Sequence, residues 1–394
     1  MKTFLKNNKI RILLIVSLLL ILTIAFDYNF FRFRLVSSPN NDLIEVEPLF
    51  AHVIFRHGER NIERTHPTDP YASESYWPGG YGALTKNGKK DMYELGKYLR
   101  RRYNKVIGEH YTPKTVYIHS TDYDRSLMSA EILASALFPP AGDQIWNKNL
   151  KWQPIPVHTR PMSQELLLAF KMPCPRFTYL LENYKKSTEY KTTLAKYGPL
   201  IKHWENQSGK SLEKPFDIYY LHDALYVEHR LGFDLPEWAD EAIQGNKTLE
   251  YLAAFELQSY SQSTEMKKLE GGFVIKEMLD RFKEKSLDTL KPNRTLWIYS
   301  AHDLTFVNIL NSLNVFDLHM PPYASSLHFE LYKSGDDYHV QLFYRKSKEE
   351  ILVPLEIPNC GTMCPLNTLY QLYKDILPTE FEDFNSACRH YSSK

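Results

Sequence analysis

Ala51-His52-Val53-Ile54-Phe55-Arg56-His57-Gly58-Glu59-Arg60 carries an apolar run that stops abruptly at Arg-His-Gly-Glu-Arg. The pattern predicts a buried strand ending in a tight turn that the glycine permits. Open α/β sheets place their ligand sites at such strand ends. The turn carries two guanidiniums and one imidazole. Forked arginine donors match the oxygens of a tetrahedral oxyanion, and an imidazole can act as a nucleophile near neutral pH. The alternative, a surface Arg/His cluster without chemistry, fits poorly with the hydrophobic strand before it.

Two further strands end in similar company. Thr115 to Ser120 is a short strand, followed by Thr121-Asp122-Tyr123-Asp124-Arg125 and a helix from Ser126 to Ala134. Arg125 at this junction would sit beside backbone donors suited to an anion; the alternative is a pair with Asp122 or Asp124. Thr295 to Ser300 is a buried strand ending in Ala301-His302-Asp303, with a helix through Leu310 behind it. Here His302 is a candidate phosphate donor and Asp303 a candidate proton donor. Asp303 could equally cap the helix, and the two roles are compatible.

Between these strands, Thr85-Lys86-Asn87-Gly88 leads into a helix with Met92, Leu95, Tyr98 and Leu99 at helical spacing. Arg100, Arg101 and Arg102 read as its solvated last turn. Residues 152–158 look like an edge strand. From 160 to 285 helical periodicity dominates, at 177–184, 192–204, 214–229, 249–261 and 269–285. This predicts a helical insertion capping the site, its aromatic and Met positions core rather than ligand contacts. Residues 326–332 and 338–344 alternate around a Gly-containing turn and predict a hairpin, and a last helix runs from 365 to about 374. The expected class is α/β: a mostly parallel central sheet flanked by helices, with an inserted helical cap. The expected divisions are 1–34 a signal peptide or signal anchor, 35–46 a stalk, 47–159 and 286–394 the two parts of the core, and 160–285 the cap.

The 394 residues, 43% hydrophobic, suffice for a large core. A net charge of +1 supplies no global field for nucleic acid. Lys2, Lys6, Lys9 and Arg11 precede an uncharged run from Ile12 to Phe26, which predicts entry into the secretory pathway, with the segment either cleaved or retained as an anchor. Sequons at Asn206, Asn246 and Asn293 agree. An even count of four cysteines in an oxidising compartment suggests two disulfides. Cys360 and Cys364 can close a small loop, leaving Cys174 for Cys388, and the spacing forms no finger-like zinc pattern.

Taken together, the chain resembles the histidine acid phosphatase branch of the histidine phosphatase superfamily, most like the animal lysosomal and prostatic acid phosphatases. The resemblance runs from about Glu47 to Cys388. It rests on Phe55 to Arg60, Gly82-Ala83-Leu84-Thr85, Ser120 to Ala130, Leu137-Phe138-Pro139-Pro140, Leu235-Pro236-Glu237-Trp238, Tyr299 to Asp303 and Pro321-Pro322-Tyr323-Ala324-Ser325. It implies metal-independent hydrolysis of phosphate monoesters without a cofactor. His57 would be the nucleophile, forming a phosphohistidine. Arg56, Arg60, Arg125 and His302 would hold the phosphate, and Asp303 would protonate the leaving alcohol. It also implies the pairs Cys174–Cys388 and Cys360–Cys364. A further bridge of the relatives would fall at Val227 and Ser326, where both cysteines are absent; its loss removes on the order of 2–4 kcal/mol.

The expected partners are a small-molecule or protein phosphomonoester, the membrane if the N-terminal segment is retained, and a second copy of the chain. The expected location is luminal, in lysosome or Golgi, or extracellular. A catalytically silent relative keeping only the fold is disfavoured because every expected site residue is present. No motif in 160–285 decodes a narrower substrate.

Overall fold

A computed structural model describes residues 47–389, apart from 170–172, 215, 349–351, 353 and 380–383. The expected signal, anchor and stalk segments therefore lie outside the described residues. Glu47–Lys394 forms one compact unit.

The first strand, β1 (Phe50–Arg56), is buried along its whole length. It is followed by α1 (Lys86–Arg102), β2 (Val116–Ser120) and α2 (Asp124–Leu137). A helical stretch then holds α3 (Pro175–Lys186), α4 (Thr188–Ala195), α5 (Gly198–Ser208), α6 (Asp217–Leu231), α7 (Glu237–Gln244), α8 (Thr248–Gln258) and α9 (Phe273–Ser286). The chain returns through β3 (Leu296–Ala301), α10 (Asp303–Ser312), β4 (Ser326–Ser334), β5 (Asp337–Arg345), β6 (Cys364–Pro365), α11 (Leu366–Tyr373) and α12 (Phe384–Arg389).

The sheet order is β2-β3-β1-β4-β5-β6. β1 and β2 both run parallel to β3, whereas β4, β5 and β6 join antiparallel. The sheet is thus mixed, with its parallel half in the centre and at one edge, rather than mostly parallel. Register aligns the strand ends: Arg56 lies opposite Ala301, and Ser120 opposite Ser300.

Helices cover both faces, which is why β1 reads as one continuous apolar run. Its residues still alternate. Ala51, Val53 and Phe55 pack with Met92, Leu95 and Leu99 of α1 and Leu133 of α2. Phe50 and Ile54 pack on the other face with Met278, Phe282 and Phe306. The helical stretch has a small core of its own around Trp204, Leu221, Leu225 and Leu252.

Several local readings change. The expected helix 192–204 is two, because Pro199 begins α5 and cannot continue α4. Residues 269–285 begin as a π-helical turn, Lys268–Gly272, before α9. The expected edge strand at 152–158 is a single parallel bridge of His158 to His119; Pro154 and Pro156 lack the N–H groups a ladder needs. Arg102 is not merely a solvated helix end: it grips the fully buried Glu330 through Nε and Nη2 at 2.6 and 2.7 Å. Sulfur bonds join Cys174 to Cys388 and Cys360 to Cys364. Val227 and Ser326 are both fully buried, Val227 in an apolar cluster with Ile62 and Trp77. Among the described residues no helix is long and apolar enough to cross a membrane.

Candidate active site

The turn after β1 is built by close backbone approach. A Cβ on Gly58 would lie 2.6 Å from the Gly88 carbonyl oxygen, and one on Gly88 would lie 2.2 Å from the Glu59 carbonyl oxygen. Gly58 is therefore required because α1 packs its first turn onto this loop, not because of an unusual φ. Thr85 caps α1, its hydroxyl accepting from the Gly88 amide at 3.0 Å and donating to Glu59 Oε1 at 2.9 Å. The turn and the helix start are thereby tied together.

His57 is 2% exposed. Its Nδ1 lies 2.9 Å from its neighbour's carbonyl oxygen at Gly58. With Nδ1–H donating there, Nε2 keeps its lone pair, towards which Arg125 Nε points at 3.2 Å. Burial, then Arg125, His302, Arg56 and Arg60, hold the imidazole well below its ordinary pKa. His57 therefore resists protonation more than a free imidazole.

The other expected residues converge from the aligned strand ends. Arg56 donates to Asp303 Oδ2 at 2.7 Å and lies 3.9 Å from the centroid of the Tyr323 ring. Arg60 is held in a bidentate pair by Asp223, at 2.8 and 2.9 Å. Arg125 pairs with Glu63, not with Asp122 or Asp124. His302 Nε2 lies 2.9 Å from the Thr121 hydroxyl. Asp303 opens α10, with Oδ1 accepting from the Leu304 amide at 2.8 Å and Oδ2 from the Tyr219 hydroxyl at 2.9 Å. Burial pushes this carboxyl up, but Arg56, Arg60 and His302 outweigh it and leave it below the usual carboxylate range.

A cavity of about 430 Å³ opens on this cluster, lined by His57, Arg60, Arg125, His302 and Asp303. All six expected residues are thus together, with Arg56 behind the cavity wall. Four partners were not anticipated. Tyr219 and Asp223 come from one face of α6, four residues apart; Glu63 and Tyr323 come from loops. A buried Asp at i+4 from a Tyr in an apolar helix was the available signal for the first two.

A buried imidazole, three arginines and a carboxyl thus lie together at the carboxyl ends of the parallel strands. Residues 49–345 match the model of the histidine phosphatase superfamily, branch 2, and the chain belongs to that family. It is 38% identical to human prostatic acid phosphatase over 361 residues, covering 91% of this chain and 92% of the relative. It is 34% identical to human lysosomal acid phosphatase over 336 residues, covering 84% and 79%. Among solved structures, the phytase of Hafnia alvei in complex with tartrate shares the fold with a TM-score of 0.65 at 16% identity, covering 89% of this chain and all of that one.

Proposed function

We propose that this phosphatase hydrolyses phosphate monoesters in an acidic lumen through a phosphohistidine at His57. The observation that carries the reading is the buried imidazole of His57, its Nδ1 turned to the Gly58 carbonyl, lining the same cavity as Arg60, Arg125, His302 and the Asp303 carboxyl. Nε2 attacks phosphorus as the bond to the alcohol oxygen breaks, and the Asp303 proton goes to that oxygen. Water then attacks the phosphohistidine, giving its proton to the Asp303 carboxylate and restoring His57.

Phosphoryl transfer asks mainly for positioning and charge neutralisation. Arg56, Arg60, Arg125 and His302 supply both. In the free site the arginines hold Asp303 ionised. A bound phosphate dianion takes up their field, so the carboxyl gains affinity for a proton as substrate arrives. Acidic solution completes the loading.

The stretch 160–285 acts as the cap: Phe216, Tyr219, Tyr220 and Leu257 wall the cavity. Passage through the secretory pathway is supported by the basic and apolar N-terminus, by two disulfides, and by the exposure of Asn206, Asn246 and Asn293 for glycosylation. The test is hydrolysis of p-nitrophenyl phosphate by the full chain from about pH 4 to about pH 8. Activity should peak on the acid side and vanish in His57→Ala. Retained turnover in that variant refutes the covalent route.

A further inference from the structure

The arginines of the free site already hold a carboxylate. Glu63, in the loop after β1, lines the cavity together with Arg60 and Arg125. Its Oε1 lies 2.5 Å from Arg125 Nη2, and its Oε2 lies 3.7 Å from Arg60 Nη2. The Nε of the same Arg125 points at His57 Nε2 at 3.2 Å. One guanidinium thus touches both the imidazole and this carboxylate. The Glu63 side chain keeps 25% exposure, so a ligand in the cavity can reach it, whereas Asp223, which grips Arg60, keeps 5%. Hydrolysis as written above asks nothing of Glu63.

The groups facing Glu63 come from four elements. Arg60 belongs to its own loop, Arg125 to the start of α2, His302 and Asp303 to the N-terminal end of α10, and Tyr220 to α6. Burial pushes the Glu63 carboxyl up and Asp303 adds to that. Arg60 and Arg125, helped by His302, outweigh both and leave it below the usual carboxylate range. The free site therefore presents an ionised carboxylate where phosphoryl oxygens must come. A phosphoryl group in reach of His57 Nε2 and of the Arg60 and Arg125 donors lands beside it. Two anions sharing one site repel, which raises the proton affinity of the pair. A single proton between them converts the repulsion into a charge-assisted hydrogen bond, one of the strong kinds.

We infer that Glu63 is a specificity-determining residue: it shares one proton with the bound phosphoryl group, and so selects tetrahedral oxyanions that carry a proton over those that carry none. This inference rests on the phosphomonoesterase reading above. A phosphate monoester has a second pKa of about 6, so in acid the proton arrives with the ester. The bound pair is the ester monoanion against the Glu63 carboxylate, or equally the dianion against its acid, with one proton between two oxygens. No bond to phosphorus forms or breaks in this step, and the proton on Asp303 is a separate one. Sulfate has the same shape but brings no proton, and sets a full dianion against the carboxylate.

The experiment measures binding of inorganic phosphate and of sulfate to the full chain by titration calorimetry. The pH is about 5, where phosphate carries protons and sulfate none. Wild type should bind phosphate at least about tenfold more tightly than sulfate, a difference of about 1.4 kcal/mol. In Glu63→Gln the amide can donate to an unprotonated oxygen, so sulfate should gain and the ratio should fall close to one. If Glu63 only holds Arg125 in place, the variant weakens both anions together and the ratio stays. Equal affinities in wild type, a ratio unchanged in Glu63→Gln, or a ratio that falls in Asp303→Asn but not in Glu63→Gln overturns the inference. Hydrolysis of p-nitrophenyl phosphate by the same preparation is read separately. Its absence beside an intact preference for phosphate overturns the phosphatase reading instead.

Discussion

An imidazole in mild acid ordinarily carries a proton and so lacks a nucleophilic lone pair. His57 resists this because burial, Arg125, His302, Arg56 and Arg60 all oppose a further positive charge. Arg125→Gln removes the cation nearest Nε2. The imidazole's proton affinity then rises, and the acid limb of the kcat/KM profile should move up by about one pH unit. A limb that stays in place would confine Arg125 to phosphate binding. At Asp303 the expected split is between leaving groups. Asp303→Asn should slow alkyl phosphates by about a hundredfold or more, while aryl phosphates, whose leaving oxygens need little protonation, lose far less. Equal losses measured on the two classes would remove its role as proton donor.

Among the elements, α6 does more than fill the helical stretch. Asp223 holds Arg60 in position, Tyr219 holds Asp303, and Glu228, further along the same helix, approaches Asp69 in the loop after β1. Burial, followed by the charge of Asp69 and a hydrogen bond to it, pushes the Glu228 carboxyl up to about 9. Raised in the fold relative to roughly 4.3 in the open chain, it favours the folded state most in acid. That contribution fades as pH climbs towards 9, by at most about 1.4 kcal/mol per pH unit. Urea unfolding should show wild type losing stability between about pH 5 and about pH 8, and Glu228→Gln losing distinctly less. Parallel curves for the two proteins would show that Glu228 is not raised by its surroundings in the fold. An element tuned in this way suits an enzyme that works in acid.

For the molecule as a whole, the bond from Cys174 to Cys388 ties the start of the helical stretch to α12 across a separation of 214 residues. Closing so long a loop in the unfolded chain is worth roughly 5 kcal/mol. The double replacement Cys174→Ala with Cys388→Ala should lower stability by about that amount in denaturant unfolding. Non-reducing digestion of wild type should release a 174–388 linked peptide, and any other pairing refutes the structure here. The sequence alone determined the three strand ends, the six candidate residues that stand at them and the hairpin of β4 and β5. Each of these is a local pattern, an apolar run stopping at charged groups or alternation around a turn, and local patterns survive in one dimension. The tertiary structure alone decided that Gly58 is needed by the approach of Gly88, that Arg125 is held by Glu63, and that Arg102 is drawn into the sheet by Glu330. It also brought Tyr219, Asp223 and Tyr323 to the candidate site and set Glu270 beside Asn308. Those contacts join residues from separate segments of the chain, and no periodicity encodes a pairing that exists only once the packed core has closed the distance.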